Sequence, residues 1–252
     1  MTLQEVHLNY ILQIGDNALI LGQRLGEWCG HGPVLEQDIA ITNIALDLMG
    51  QARSLMQYAA ELEGKGRDED QMAFLRDAWG FRNVLLLEQP NNDWAYTITR
   101  QFFFDTFNYY FHKELTKSKD EHLAAIAEKS LKEITYHLRY SSEWMIRLGD
   151  GTELSHAKMQ NAVNDLWMYI GELTEMNEVD KIMIAEGIGV DLNIIKPLYD
   201  QKIKEILEEA TLQKPADTWM QSGGKVGRHT EHLGYILADM QFMQRAYPNM
   251  KW

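Results

Sequence analysis

Four long stretches of this chain carry apolar residues at steps of three and four, and this periodicity constrains the fold more than any other feature. In 3–27 the line runs Ile11, Ile14, Ala18, Leu21, Leu25. In 35–62 it runs Ile41, Ala45, Leu48, Ala52, Leu55, Ala59, Leu62, more than five turns without a break. Such spacing lays a single apolar stripe along a helix of 3.6 residues per turn. A third stretch, 93–117, is rich in Trp, Phe and Tyr, with the line Ile98, Phe102, Asp105, Tyr109, His112. A fourth, 121–148, follows Ala127, Leu131, Ile134, Leu138, Met145, Leu148 and stops at "GDG". Only seven valines occur and no segment alternates like a strand, so the chain is predicted to be all-helical.

Shorter elements surround these four. Residues 71–88 read as a short helix closed by "EQPNND", 155–175 as another, and 178–186 and 195–211 as small helices. The loop "SGGKVGR" leads to a last helix at 229–246. The connection 63–92 is long enough for the third long helix to run parallel to the second. The expected fold is all-α: a ferritin-like four-helix bundle with additional surrounding helices. It is read as one domain over 1–252, with the bundle core at about 3–148 and C-terminal helices at about 155–246.

Composition narrows the partners. A hydrophobic content of 45% supports a substantial core, and the single Cys29 cannot form an intramolecular bridge, which suits a reducing, cytoplasmic setting. The start "MTLQEVHLNY" does not read as an export leader, and no segment approaches the roughly 20 apolar residues of a membrane span. A net charge of −13 repels a phosphate backbone, so neither nucleic acid nor membrane is expected, whereas a less acidic protein is a natural partner.

Glu133 and His137 lie one helical turn apart and are residue types that bind metal together, which raises the question of a di-iron centre. Such a centre in a ferritin-like bundle takes one carboxylate from each of two helices and a Glu-x-x-His pair from each of the other two. In 35–62 the acid is Asp47, and three residues later stands Gly50. In 121–148 Glu133 is followed at that spacing by Tyr136, with His137 displaced by one. Asp16 and Asp105 are the remaining carboxylate candidates. Asp16, Asp47, Asp105, Glu133 and His137 therefore read as vestigial positions of a lost site, with no metal bound and no catalytic residue in this chain. Glu133 and His137 fall one position off the apolar line, so a hydrogen-bonded pair at the edge of that face explains them more simply than ligation. His31 is read as serving a turn, and His229 and His232 a helix start.

The segments "LGQRLGEWCGHGP" (21–33), "NIALDLMGQAR" (43–53), "LLLEQPN" (85–91), "YHLRYS" (136–141) and "GGKVGRHTEHLG" (223–234) closely resemble the family of structural subunits of bacterial ring-1,2-phenylacetyl-coenzyme A epoxidases. The resemblance runs in order over almost the whole chain. It implies a structural, non-catalytic subunit that holds no cofactor of its own and stabilises a related catalytic A subunit carrying a di-iron centre. It also implies other epoxidase components, including a reductase, and contact with phenylacetyl-coenzyme A through the complex. A homodimer is an open alternative when the chain is alone.

Coenzyme A carries phosphates and an adenine, which call for cations, backbone N–H groups and aromatic surface. "RDAWGFRN" (76–83) supplies Arg76, Arg82 and Asn83, and "SGGKVGRH" (222–229) supplies Lys225; these four are the candidate coenzyme A contacts. The bland readings are a surface Arg pair on a helix for the first stretch and an ordered connection needing glycine for the second. Trp28, Trp94, Phe103 and Tyr110 are candidate interface anchors, or simply core. The rival reading from the enzyme class is a free-standing di-iron or di-manganese carboxylate oxidase; iron storage in a cage is a third.

Overall fold

The computed structural model describes residues 1–216, 218–248 and 250. Among them are nine α-helices: α1 (Leu3–Gly26), α2 (Leu35–Glu63), α3 (Glu69–Phe74), α4 (Trp94–Leu115), α5 (Glu121–Gly149), α6 (Glu153–Leu166), α7 (Glu178–Ala185), α8 (Leu192–Glu209) and α9 (Glu231–Ala246). No strand occurs among the described residues, in agreement with the all-α, ferritin-like class expected. None of the helices is long and apolar enough to cross a membrane. The chain divides into two compact units, Met1–Pro90 with Gly223–Trp252, and Asn91–Ser222.

The first unit is built on the α1/α2 pair. Thr2 and Glu5 form a reciprocal cap that starts α1, each side chain bonding the other's backbone N–H. The Gln4 amide reaches the Leu62 carbonyl at 2.5 Å, so the start of α1 lies beside the end of α2 and the two run antiparallel. Asp38 fastens the turn between them by accepting from the N–H groups of Gly30 and Gly32. His31 sits in that turn, its Nδ1 against the Cys29 carbonyl. The predicted stripes are the observed core: Ile11, Ile14, Leu21, Leu25, Ile41, Leu48 and Leu55 are all buried. Each such side chain contributes about 1.5–3 kcal/mol relative to exposure.

The expected helix at 71–88 does not form. After the six residues of α3 the chain proceeds through two 3-10 turns, Ala78–Gly80 and Leu85–Glu88. The Arg82 and Val84 N–H groups are taken by the side chains of Asp16 and Asn17 on α1. Side chains of α1 thus replace the i−4 carbonyls that a helix would have supplied. α9 returns to the same unit, where Gln241 donates to the carbonyls of Ala73 and Arg76.

The second unit is organised around α4, which is buried on nearly every side. Asp93 and Asp120 cap α4 and α5. Trp94, at the start of α4, meets Trp144, near the end of α5, edge to face with ring centroids 6.1 Å apart; this pair too is antiparallel. α6 and α8 cover further faces of α4. The helix expected at 155–175 ends earlier, at Leu166, and continues as 3-10 turns Trp167–Tyr169 and Gly171–Thr174. The last expected small helix is α8, a full 18 residues. Of the aromatic anchor candidates, Phe103 belongs to the core, while Trp28, Trp94 and Tyr110 are half-buried.

Candidate functional site

Several of the predicted positions fall into two buried polar networks, one in each unit; Asp47, Glu133 and Lys225 are only half-buried. In the first unit Asp16 is completely buried on α1. Arg76 grips it with both terminal nitrogens, Nη1 to Oδ2 at 2.9 Å and Nη2 to Oδ1, while the Arg82 N–H donates to Oδ2 at 2.8 Å. The Arg76 guanidinium also donates to the carbonyls of Met72 and Gly80 and lies 4.3 Å over the Phe81 ring. A buried carboxylate held in this way has its charge balanced and its oxygens occupied. Asp16, expected as a vestigial ligand, and Arg76 and Arg82, expected as coenzyme A contacts, are therefore partners of one another.

Arg76 and Arg82 do not form a surface pair on a helix, since neither lies in one and Arg76 is buried. Asn83 is fully buried and Arg76 nearly so; only Arg82 of these three is half-exposed. The Arg82 guanidinium bonds the Trp79 and Phe81 carbonyls and Asn9. Half-burial pulls it below the ordinary arginine range, against the opposing pull of Asp16.

Glu88, which no motif in the sequence marks as a site residue, is the hub of this network. It is completely buried. Oε1 accepts from Asn83 Nδ2 at 3.0 Å and faces His229 Nδ1 at 2.5 Å, and Oε2 accepts from the Thr230 N–H and hydroxyl at 2.8 and 2.6 Å. His229 Nε2 faces the Phe81 carbonyl, so both ring nitrogens meet oxygen atoms. His229 is thus a clamp ahead of α9 rather than part of the helix start, while His232 lies in the first turn. The signal was present in the sequence as a lone acid closing the apolar run Leu85–Leu87.

The glycine-rich loop serves the same clamp. A side chain at Gly224 would place its Cβ 2.1 Å from the Asn83 carbonyl oxygen, so only glycine lets the two backbones meet. The N–H groups of Val226, Gly227 and Arg228 bond carbonyls within the loop and so do not converge on an outside phosphate. Lys225 is half-exposed there.

In the second unit Asp105 on α4 accepts from Gln101 Nε2 at 2.7 Å and Ser141 Oγ at 2.8 Å. Burial pushes its carboxyl up to about 6, while His137, Ser141 and Gln101 pull it back. His137 is completely buried, in the middle of α5, not at the edge of its apolar face as expected. Glu133 is half-buried one turn before it. His112, two helical turns along from Asp105, bonds the Asn108 carbonyl, and burial lowers it to about 4.

The two positions that lack the histidines of the di-iron pattern face outward. Gly50 is exposed and an added Cβ would meet nothing within 4 Å; Tyr136 is 41% exposed. Asp47 is half-buried, and the inward positions of α2 are Leu48, Gln51 and Ala52. One residue along a helix is a rotation of about 100°, so the registers expected from Asp47 and Glu133 each stand one step from the buried face. Among the described residues no group of three or more His, Cys, Asp or Glu side chains is placed to hold a metal ion. The donor set present, with Asp16 clamped by arginine, does not fit a di-iron centre in this chain.

Comparison with known proteins accounts for the sequence as a whole. The chain is 49% identical over 243 residues to the C subunit of 1,2-phenylacetyl-CoA epoxidase of Escherichia coli (strain K12), covering 96% of this chain and 98% of that one. It also matches the family described as phenylacetic acid catabolic protein over residues 2–252. The chain belongs to the phenylacetic acid catabolic protein family.

Proposed function

We propose that this chain is the structural, non-catalytic subunit of a phenylacetyl-coenzyme A 1,2-epoxidase in phenylacetate catabolism. The observation that carries this reading is the near full-length similarity to the C subunit of such an epoxidase. The clamped Asp16 supports it, because both of its oxygens already accept from the Arg76 guanidinium, and Oδ2 from the Arg82 N–H as well, so a cation there would have to displace an arginine. In this reading the di-iron centre resides in a related catalytic A subunit. The present chain stabilises that subunit in the cytoplasm and helps form the channel for the coenzyme A substrate.

Of the four candidate coenzyme A contacts, Lys225 and part of Arg82 reach the surface; Arg76 and Asn83 hold the loop that presents them. Co-expression with the catalytic subunit tests the assembly. One co-purifying species is expected, and independent elution of the two chains at low salt would contradict the proposal.

A further inference from the structure

Helix α2 carries a second apolar line, opposite Ala45, Leu48 and Leu55, which meet α1 at Gly22 and Gly15. Leu35, Ile39 and Leu46 are 69%, 51% and 63% exposed. A lone exposed apolar side chain is ordinary. These three share one face, because steps of four and seven along a helix return to nearly the same direction. Asn43 and Gly50 continue the face at the same steps, and both are exposed. Over more than four turns α2 is thus apolar on two sides, the pattern of a helix covered on both.

Gly50 narrows what covers it. A glycine in the middle of an exposed helix is less stable than alanine, and a Cβ at this position would meet nothing within 4 Å. No contact inside the chain requires it. A second helix lying close does, because the missing side chain is a hole for a large one. Ile39, eleven residues earlier on the same face, is such a knob.

Charge sets the direction and the occupant. Glu36, exposed near the start of α2, has no partner among the described residues. Arg53, toward the other end, has a side chain 71% exposed, and its 3.0 Å contact with Glu69 is a surface pair of little worth. A second α2 laid antiparallel, with the midpoint between residues 44 and 45, sets Ile39 against the partner's Gly50 and Glu36 against the partner's Arg53. It also sets Asn43 against the partner's Leu46, beside the partner's Asp47. Two-fold symmetry makes every pair twice. The net charge of −13 repels a second copy at long range but is screened at physiological salt, so the seam decides.

We infer that this face binds a second copy of the chain, α2 against α2 in an antiparallel, two-fold arrangement. The inference concerns the chain by itself and stands apart from the epoxidase reading.

The test is sedimentation equilibrium of the full chain at physiological salt, where a dimer is expected. Leu46→Glu and Gly50→Leu should each weaken the dimer at least about tenfold, the first by burying a charge and the second by filling the hole. Both should keep the parental helix content by circular dichroism, since neither position is buried within the chain. Glu36→Arg and Arg53→Glu should each give a weaker dimer alone, and mixing the two should restore it, because only the mixed dimer sets opposite charges at both ends. A chain that stays monomeric at submillimolar concentration, a dimer that survives both Leu46→Glu and Gly50→Leu, or a mixture no tighter than its components would overturn the proposal. A monomeric chain that loses co-purification with the catalytic subunit on Leu46→Glu would also overturn it, and would give the face to that subunit.

Discussion

Asp105→Asn should stabilise this protein at neutral pH, although it removes a buried group with two hydrogen bonds. The native carboxyl titrates near 6 against a reference of 3.8. A raised folded-state value means that Asp105 contributes most favourably below its unfolded value, and that this contribution is lost as pH rises through about 6. The difference of roughly two units corresponds to about 3 kcal/mol at pH 7. An asparagine is neutral throughout and can keep both bonds. Its oxygen accepts from Gln101, and its amide donates to Ser141 Oγ, whose own hydrogen turns to the His137 carbonyl 3.0 Å away.

His112 gives the experiment a second signature. Its folded value is lowered from 6.5 to about 4, so its contribution is present above the unfolded value and lost as pH falls through that window. Between pH about 4 and about 6 the two groups act with opposite slopes of about 1.4 kcal/mol per pH unit and nearly cancel in the native protein. Asp105→Asn unmasks the His112 slope. Urea unfolding followed by circular dichroism across this range should show the variant and native curves diverging as pH rises, with a gain of about 3 kcal/mol at neutral pH. A variant less stable than the parent at pH 7, or a difference that does not change with pH, would refute the assignment of Asp105 as a desolvated acid.

Arg76→Ala leaves Asp16 buried and uncompensated and should cost about 3–5 kcal/mol in urea unfolding; Asp16→Asn in the same chain should recover part of that loss. Glu88→Ala strips acceptors from Asn83, His229 and Thr230 at once and should lower stability by at least about 3 kcal/mol. Hydrogen exchange should show the loosening first in 223–230, and unchanged protection there would argue against the clamp. Gly224→Ala forces the loop off the Asn83 carbonyl and should raise exchange in the same stretch, whereas the exposed Gly50→Ala should not destabilise α2.

The long helices α1, α2 and α5 were legible to within a few residues because their cores repeat with the helix period, and α4, buried on nearly every side, because its aromatic run begins at the local Asp93 cap. The stretch 71–88 was not, since Arg82 and Val84 spend their N–H groups on Asp16 and Asn17, more than sixty positions away in sequence. Site residues were legible by type and less so by register. Asp16, Asp105 and His137 are buried as chemistry-bearing residues, but the outward Gly50 and Tyr136 show that a Glu-x-x-His template slid one residue along a helix selects the wrong face. Glu88 was hidden for the opposite reason: its partners lie on a loop about 140 residues downstream, and only the fold brings them together.

That this chain is a silent partner in an iron-dependent epoxidase is tested most directly by measuring iron and turnover on the chain expressed alone. After anaerobic reconstitution with ferrous iron and desalting, iron should stand far below stoichiometric and phenylacetyl-coenzyme A should not be oxidised. A stoichiometric di-iron centre with turnover in this chain by itself would contradict the assignment.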